Sequence, residues 1–433
     1  MQIEVFPAAS GDCLLLTSSD DRRLLADAGL PDAYDEFIAT PLSELRAAQK
    51  EIDVVYVSHI DRDHIGGVLR MLDDEMKWRA FDHMRLKGKK FKQPAMPRPP
   101  AIRALWHNAF LDDISKSESV QLGSALAASA NAMAGLNAAG LGTPEMVRNA
   151  ERVEMLALSV GDAIEVNWRI GDDQLSIPLN PDFAGKFMVA RPKKPIALGS
   201  MTITVLGPTK VQLDELRKDW VDWLKKKKDY VETLRNRHRR DVEDLRSGLS
   251  PMDVARRAQE LALAIEKDVT PPNLASLVLL VEENGRRILL TGDAGDESLL
   301  EYLTAAKLIG DNKPFEVDVL KVPHHGADNS YSKKFVESIR ASHYIFCGDG
   351  EHHNPEPDVV EGYLKAVKTI PLSGGGDTTL WFNCSSARCA TKHLKLWQKI
   401  EGFFGAGGLA PEVKAHFLSK SASRHSLTLT SSR

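Results

Sequence analysis

The chain is poor in cysteine: Cys13, Cys347, Cys384 and Cys389 are the only four in 433 residues. That number and their scatter exclude a disulfide framework. Cys384 and Cys389 have no second Cys or His pair at zinc-binding spacing, so they read as ordinary thiols. No apolar run approaches the roughly 18 residues that span a bilayer, and no membrane role is expected. The opening MQIEVFPAASGDCLLL has no basic stretch ahead of its apolar run, so a signal peptide is not expected and a cytoplasmic location is. A formal net charge of −4 gives no global positive field to draw the molecule onto nucleic acid. Any polyanion would have to be met by a local patch. No repeat of 20 to 50 residues is evident.

What is present is ordinary globular material, 43 % apolar and 27 % charged, enough for one large domain or two medium ones. Short β-suited runs end in small or polar punctuation: IEVFPA, CLLLTS, RRLLADAG and DVVYVSH, then a helix from GGVLRMLDDEMKW. A basic, proline-rich stretch over 80–101 reads as a surface loop, and IRALWH as a further strand. Residues 112–160, rich in Ala, Ser and Leu, read as helical, and 161–200 as irregular. MTITVLGP reads as a strand. Residues 211–268 are dense in charge with apolar residues at helical spacing, a helical insertion. SLVLLVEE and RRILLTGDAG flank an Asn-Gly turn, the signature of a hairpin. VDVLKVPHHG, ASHYIFCGDGEHHNPEP, the helix DVVEGYLKAV and the strand TTLWFN follow. Residues 419–433 read as a flexible tail. The expected core is therefore 1–110, 200–210 and 270–400 of a single domain spanning 1–433.

The stretch HIDRDH, residues 59–64, packs two histidines and two aspartates behind a buried strand. Alternate residues of an extended segment share a side, so His59, Asp61 and Asp63 can converge, with His64 joining as the chain turns toward Gly66 and Gly67. Imidazole and carboxylate are the ligands of catalytic zinc, manganese and iron sites. One loop cannot complete a coordination shell. Asp293 in LLTGDAG, His324 and His325 in VLKVPHHG, and His352 and His353 in FCGDGEHHNPEP each follow an apolar strand. Any one of these pairs alone is as easily a polar turn. Their repetition at strand ends is what points to a metal site.

HIDRDHIGG resembles the H-x-[HD]-x-D-H motif of metallo-β-lactamase-fold hydrolases, in the subgroup that includes the hydrolase domain of ComEC-type DNA-uptake proteins. RRLLADAG, SLVLLVEENGRRILLTGDAG and DVLKVPHHGADNSYS resemble further segments of that family, in its order. The resemblance covers 1–70 and about 273–365. It implies an α/β fold, the metallo-β-lactamase-like αββα sandwich, here with a large helical insertion. It also implies two divalent metal ions, zinc or manganese with magnesium a third option. His59 and Asp61 would hold one ion, Asp63 and His64 the other, and Asp293 would bridge them. His352 or His353 would complete the second site, and His107 in ALWHNAF would add the family's intervening histidine. His324 and His325 would supply a ligand or bind substrate oxygen. Asp27 would support a ligand from behind. Two departures stand out: Asp61 replaces the usual second histidine, and Asn354 takes the place of the late histidine before proline.

The expected activity is a metal-dependent hydrolase, with Asp63, His324 and His325 as catalytic residues beside a metal-activated hydroxide. The carboxylate-rich ligand set favours a phosphodiester, and KGKKFK (87–92), KKKK (225–228) and RNRHRR (235–240) could neutralise phosphates. Each run also reads as a solvated face. The expected partner is nucleic acid or a nucleotide phosphodiester. Other readings are a hydrolase of a thioester, lactone or β-lactam, a redox di-iron protein, and a non-catalytic module docking a protein through Trp220, Trp223 and Tyr230 of the insertion.

Overall fold

A computed structural model of the chain describes residues 1–108, 162–163, 165–215, 276–310 and 313–430. The expected insertion at 112–160 lies outside these residues. So does that at 211–268, apart from 211–215, which are helical.

The N-terminal half supplies β1 (Gln2–Val5), β2 (Leu14–Thr17), β3 (Arg23–Ala26), α1 (Ala39–Ala47), β4 (Val54–Tyr56), α2 (Arg62–Leu86) and β5 (Leu105–Trp106). A second set follows: β6 (Ile196–Leu198), β7 (Met201–Gly207), β8 (Val278–Glu283), β9 (Arg286–Leu290), α3 (Asp296–Ala305), β10 (Phe315–Lys321), α4 (Lys333–Ser338) and β11 (Ile339–Phe346). The C-terminal part adds α5 (Pro357–Thr369), β12 (Thr379–Phe382), α6 (Leu394–Gly402), β13 (Lys414–Phe417) and β14 (His425–Thr428).

These strands form two sheets, ordered β14-β1-β2-β3-β4-β5 and β13-β12-β11-β10-β9-β8-β7-β6. Most strands are apolar on both faces because each sheet is covered twice. In β8 the side chains of Leu279 and Val281 point into the core between the sheets, while Val278 and Leu280 face the helices outside. In β2 and β3, Leu14, Leu16 and Leu24 face inward, and Leu15 and Leu25 pack toward α1 and α2. Three apolar layers therefore separate helix, sheet, sheet and helix, which is the αββα sandwich expected from the sequence. The β8–β9 hairpin turns at Asn284 and Gly285, both with positive φ (52° and 76°), as the Asn-Gly pair required.

Three expectations need correction. The helix begins at Arg62 rather than after His64 and runs to Leu86, so residues 80–86 are helix and only the remainder of 80–101 is loop. Asp61 is its N-cap, and Asp63 and His64 belong to its first turn. An acidic residue there also suits the positive end of the helix. Within the stretch read as irregular, residues 165–170 are helical and 196–198 form a strand. The stretch read as a flexible tail contributes β14, which pairs antiparallel with β1 while Leu427 and Leu429 close the core.

Strand direction places the site. β3, β4 and β5 run parallel to one another in the first sheet, and β9 to β13 do so in the second. The C-terminal ends of parallel strands are where α/β folds assemble sites.

Candidate metal centre

Asp27 follows β3, Ser58 and His59 follow β4, His107 follows β5, Asp293 follows β9, and His324 and His325 follow β10. Asp27, His59, His64, His107, Asp293 and His325 are all buried.

The tightest group lies around two facing imidazoles. His64 Nε2 and His325 Nε2 are 3.2 Å apart. Asp293 reaches both, with Oδ1 3.4 Å from His64 Nε2 and Oδ2 3.3 Å from His325 Nε2. Asp63 Oδ2 is 3.5 Å from His325 Nε2. Ligands held about 2.1 Å from one ion in a tetrahedron stand about 3.4 Å from each other. The four groups therefore have the spacing of one coordination shell.

Each imidazole has a carboxylate behind it. Asp27 Oδ2 is 2.9 Å from His64 Nδ1, and Asp27 also accepts hydrogen bonds from the Ser58 backbone N–H (2.8 Å) and hydroxyl (2.7 Å). Asp12 Oδ1 is 3.1 Å from His325 Nδ1. A carboxylate at Nδ1 fixes the ring and leaves Nε2 to face an ion. Asp12 is grouped spatially with His64, Asp293 and His325 as a possible ligand. It meets the Nδ1 edge of the His325 ring, whereas Asp63 Oδ2 faces the Nε2 edge.

A second group lies beside the first. His59 Nε2 is 3.3 Å from Asp61 Oδ2 and 3.8 Å from Asp293 Oδ2, and His324 Nε2 is 3.7 Å from the same Asp293 oxygen. His324 is steadied through Nδ1 by the Ser330 hydroxyl at 3.0 Å. Among the described residues, the buried atoms His59 Nε2, Asp293 Oδ1 and both ring nitrogens of His107 have no hydrogen-bond partner. Buried polar atoms left unsatisfied are costly, and here they cluster at strand ends on imidazole and carboxylate. That donor set fits a divalent cation. His324 and His325 both hold left-handed backbone, φ 47° and 56°, a strain tolerated where surrounding structure fixes a functional turn.

The electrostatics follow from the geometry. Burial disfavours the ionised form of Asp293, yet His325, His64, His324 and Lys321 outweigh it and hold the carboxyl well below its usual range. Burial likewise opposes protonation of His325, but Asp293 and Asp12 lift it to about 9. His107 has burial and His59 acting in the same direction, and falls to about 3. In chelated protein the two should oppose each other. The stabilisation from His325 is complete below its ordinary 6.5 and is lost as pH rises through about 9. That from His107 is present above 6.5 and is lost as pH falls toward about 3. Melting temperatures in a chelator should therefore peak between pH 6 and 7, within about one unit of the free histidine value. A continuous rise from pH 6.5 to 9 would contradict this balance.

The structure brings together His59, Asp61, Asp63, His64, Asp293, His324 and His325, and places His107 within electrostatic reach of His59. It does not bring His352 and His353 to them. Both are exposed in a tight turn at 351–353, and no hydrogen bond or ion pair joins them to the cluster among the described residues. His325 instead is buried there, with its Nε2 3.2 Å from His64 Nε2. Sequence reasoning missed Asp12 and Lys321. The available signal for Lys321 was a lone cation inside the apolar strand VDVLKV, since lysine is almost never fully buried without a partner.

Residues 7–74 match the family model described as the metallo-beta-lactamase superfamily. A stretch of 96 residues is 30 % identical to ComE operon protein 3 of Bacillus subtilis (strain 168), covering 22 % of this chain and 12 % of that protein. The chain thus spans about an eighth of that relative's length. Among solved structures, a CmlA beta-hydroxylase mutant aligns over 98 % of this chain and 54 % of its own, at 11 % identity and a TM-score of 0.35. That overlap is too loose to carry any inference about the site. Among the described residues no helix is long and apolar enough to cross a membrane.

Proposed function

From a metallo-β-lactamase-like fold we propose that the chain is a metal-dependent hydrolase with a dinuclear centre, acting on phosphodiesters. The observation that carries this is the shared carboxylate: Asp293 lies within 3.8 Å of ring nitrogens of His59, His64, His324 and His325. A bridging aspartate between two clusters of imidazole and carboxylate is what two divalent ions need. His59, Asp61, His324 and His107 would hold one, and Asp63, His64 and His325 the other. When bound, such ions make a water acidic near neutral pH and offset charge developing on the substrate.

The chain's own groups do the remainder. Asp63, with its side chain 17 % exposed, stands at the open side of the cluster, where it can accept a proton from an attacking water and orient it. His324, 21 % exposed at its side chain, is the most open of the imidazoles proposed to hold an ion. His64 is held from behind by its hydrogen bond to Asp27, and His325 has the Asp12 carboxylate 3.1 Å from its Nδ1, which limits reorganisation during reaction.

Phosphodiester chemistry is favoured by hard oxygen ligands. Asp61 stands where the related motif carries histidine, and oxygen donors suit ions that bind phosphate oxygens. The exposed cations Lys87, Lys89, Lys90 and Lys92 just beyond α2 offer a sequence-independent hold on a polyanion. In a screen with manganese or zinc, bis-p-nitrophenyl phosphate and DNA or RNA should be cleaved, with activity lost to a chelator and restored by metal. Turnover confined to a thioester or lactone, insensitive to salt, would refute the phosphodiester reading and leave the hydrolase reading standing.

A further inference from the structure

Lys321 is 1 % exposed, and its ammonium sits inside the site rather than at its edge. It forms an ion pair with Asp12 Oδ2, donates to the Gly292 carbonyl at 3.0 Å, and stands 3.5 Å from Asp293 Oδ1. Asp12 in turn meets His325 through its other oxygen. A buried cation paired on one side with the carboxylate behind His325 and on the other with Asp293 touches one half of the proposed centre and the group both halves share.

We infer that Lys321 is a built-in third cation of the metal site, whose ammonium balances the carboxylate charge that two divalent ions would leave uncompensated. This rests on the dinuclear reading above. The supporting count is direct. Asp12, Asp27, Asp61, Asp63 and Asp293 carry five formal negative charges in and around the cluster, and neutral imidazoles add none. Two divalent ions supply four positive charges and Lys321 supplies the fifth. Without the ammonium, the buried cluster would hold an unbalanced charge even when fully loaded, an arrangement that a low-dielectric interior penalises. Without Asp12, Lys321 would repel the incoming ions across the Asp293 carboxylate.

The two partners therefore act on metal binding with opposite sign, which a purely structural pair would not do. Manganese affinity of the full chain, read by electron paramagnetic resonance of the free ion, distinguishes the cases. Asp12→Asn, which keeps an oxygen beside His325 but leaves the Lys321 ammonium uncompensated near the incoming ions, should weaken binding by about tenfold or more. Lys321→Met should not weaken it. The double variant Asp12→Asn with Lys321→Met should recover to near the native affinity, because the charge is again balanced. Should Lys321→Met alone fail to give a cooperative thermal melt, the comparison of Asp12→Asn with the double variant still decides. A double variant as weak as Asp12→Asn overturns the inference and leaves the dinuclear reading intact. A native protein that binds neither manganese nor zinc overturns both.

Discussion

Replacing Asp293 with asparagine should abolish metal-dependent activity while the protein still folds. The substitution keeps the shape of the side chain and removes its charge and one acceptor oxygen. In the native site those two oxygens face four imidazoles and the Lys321 ammonium at 3.3 to 3.8 Å. An amide nitrogen placed there would point a donor at an incoming cation. Both halves of the centre would lose a ligand together, so the expected loss exceeds the roughly 10–100-fold cost of removing a mere supporting group. Metal content after dialysis should fall below one ion per chain, and hydrolysis of bis-p-nitrophenyl phosphate should reach background. The fold should persist because Gly292 O and Asp12 still hold Lys321. Normal metal content and turnover in this variant would refute the bridging role and, with it, the dinuclear centre.

Several of the residues that meet at this site could be found in the sequence because each stands at the end of an apolar strand, and parallel strands bring such ends to one edge. HIDRDH, LLTGDAG and PHHG are short enough to be read as units. The same logic failed at His352 and His353. They follow β11 as His324 and His325 follow β10, but burial is decided by how far each turn leans over the sheet, which strand patterns do not encode. It also failed at β14. HSLTLT alternates polar and apolar residues as an edge strand should, yet its pairing with β1 joins the two ends of the chain, and nothing local announces that partner. Asp12 was hidden for a related reason. GDC reads as a turn, and its importance comes from Lys321 and His325 across the other sheet. Local chemistry was legible, and contacts between distant segments were legible only where both members carried a recognisable motif.

Gly67 shows how closely backbone packing and site geometry are tied, and Gly67→Ala should be among the most damaging single substitutions in the chain. Gly67 lies in the second turn of α2, whose first turn carries Asp63 and His64. Its N–H donates to the Gly29 carbonyl at 2.8 Å, and the Ala28 N–H donates to the His64 carbonyl at 3.2 Å, so the helix is bonded directly onto the loop after Asp27. A Cβ on Gly67 would fall 2.0 Å from the Ala28 carbonyl oxygen and 2.7 Å from its carbon. Both atoms are backbone and no rotamer can relieve them. The helix would have to back away from the loop, taking His64 from Asp27 and opening its approach to His325. Overpacking of this kind costs about 3 kcal/mol at the upper end of its usual range, which for a chain of this size lowers the melting temperature by about 3 °C. Gly66→Ala is the control. Its Cβ would meet the Pro31 ring at 2.9 Å and the Arg62 side chain at 3.2 Å, a far looser overlap than 2.0 Å on a carbonyl oxygen, so its cost should be smaller. Equal melting temperatures for the two variants, with metal content retained in Gly67→Ala, would show that the α2 start is not what sets the ligand geometry.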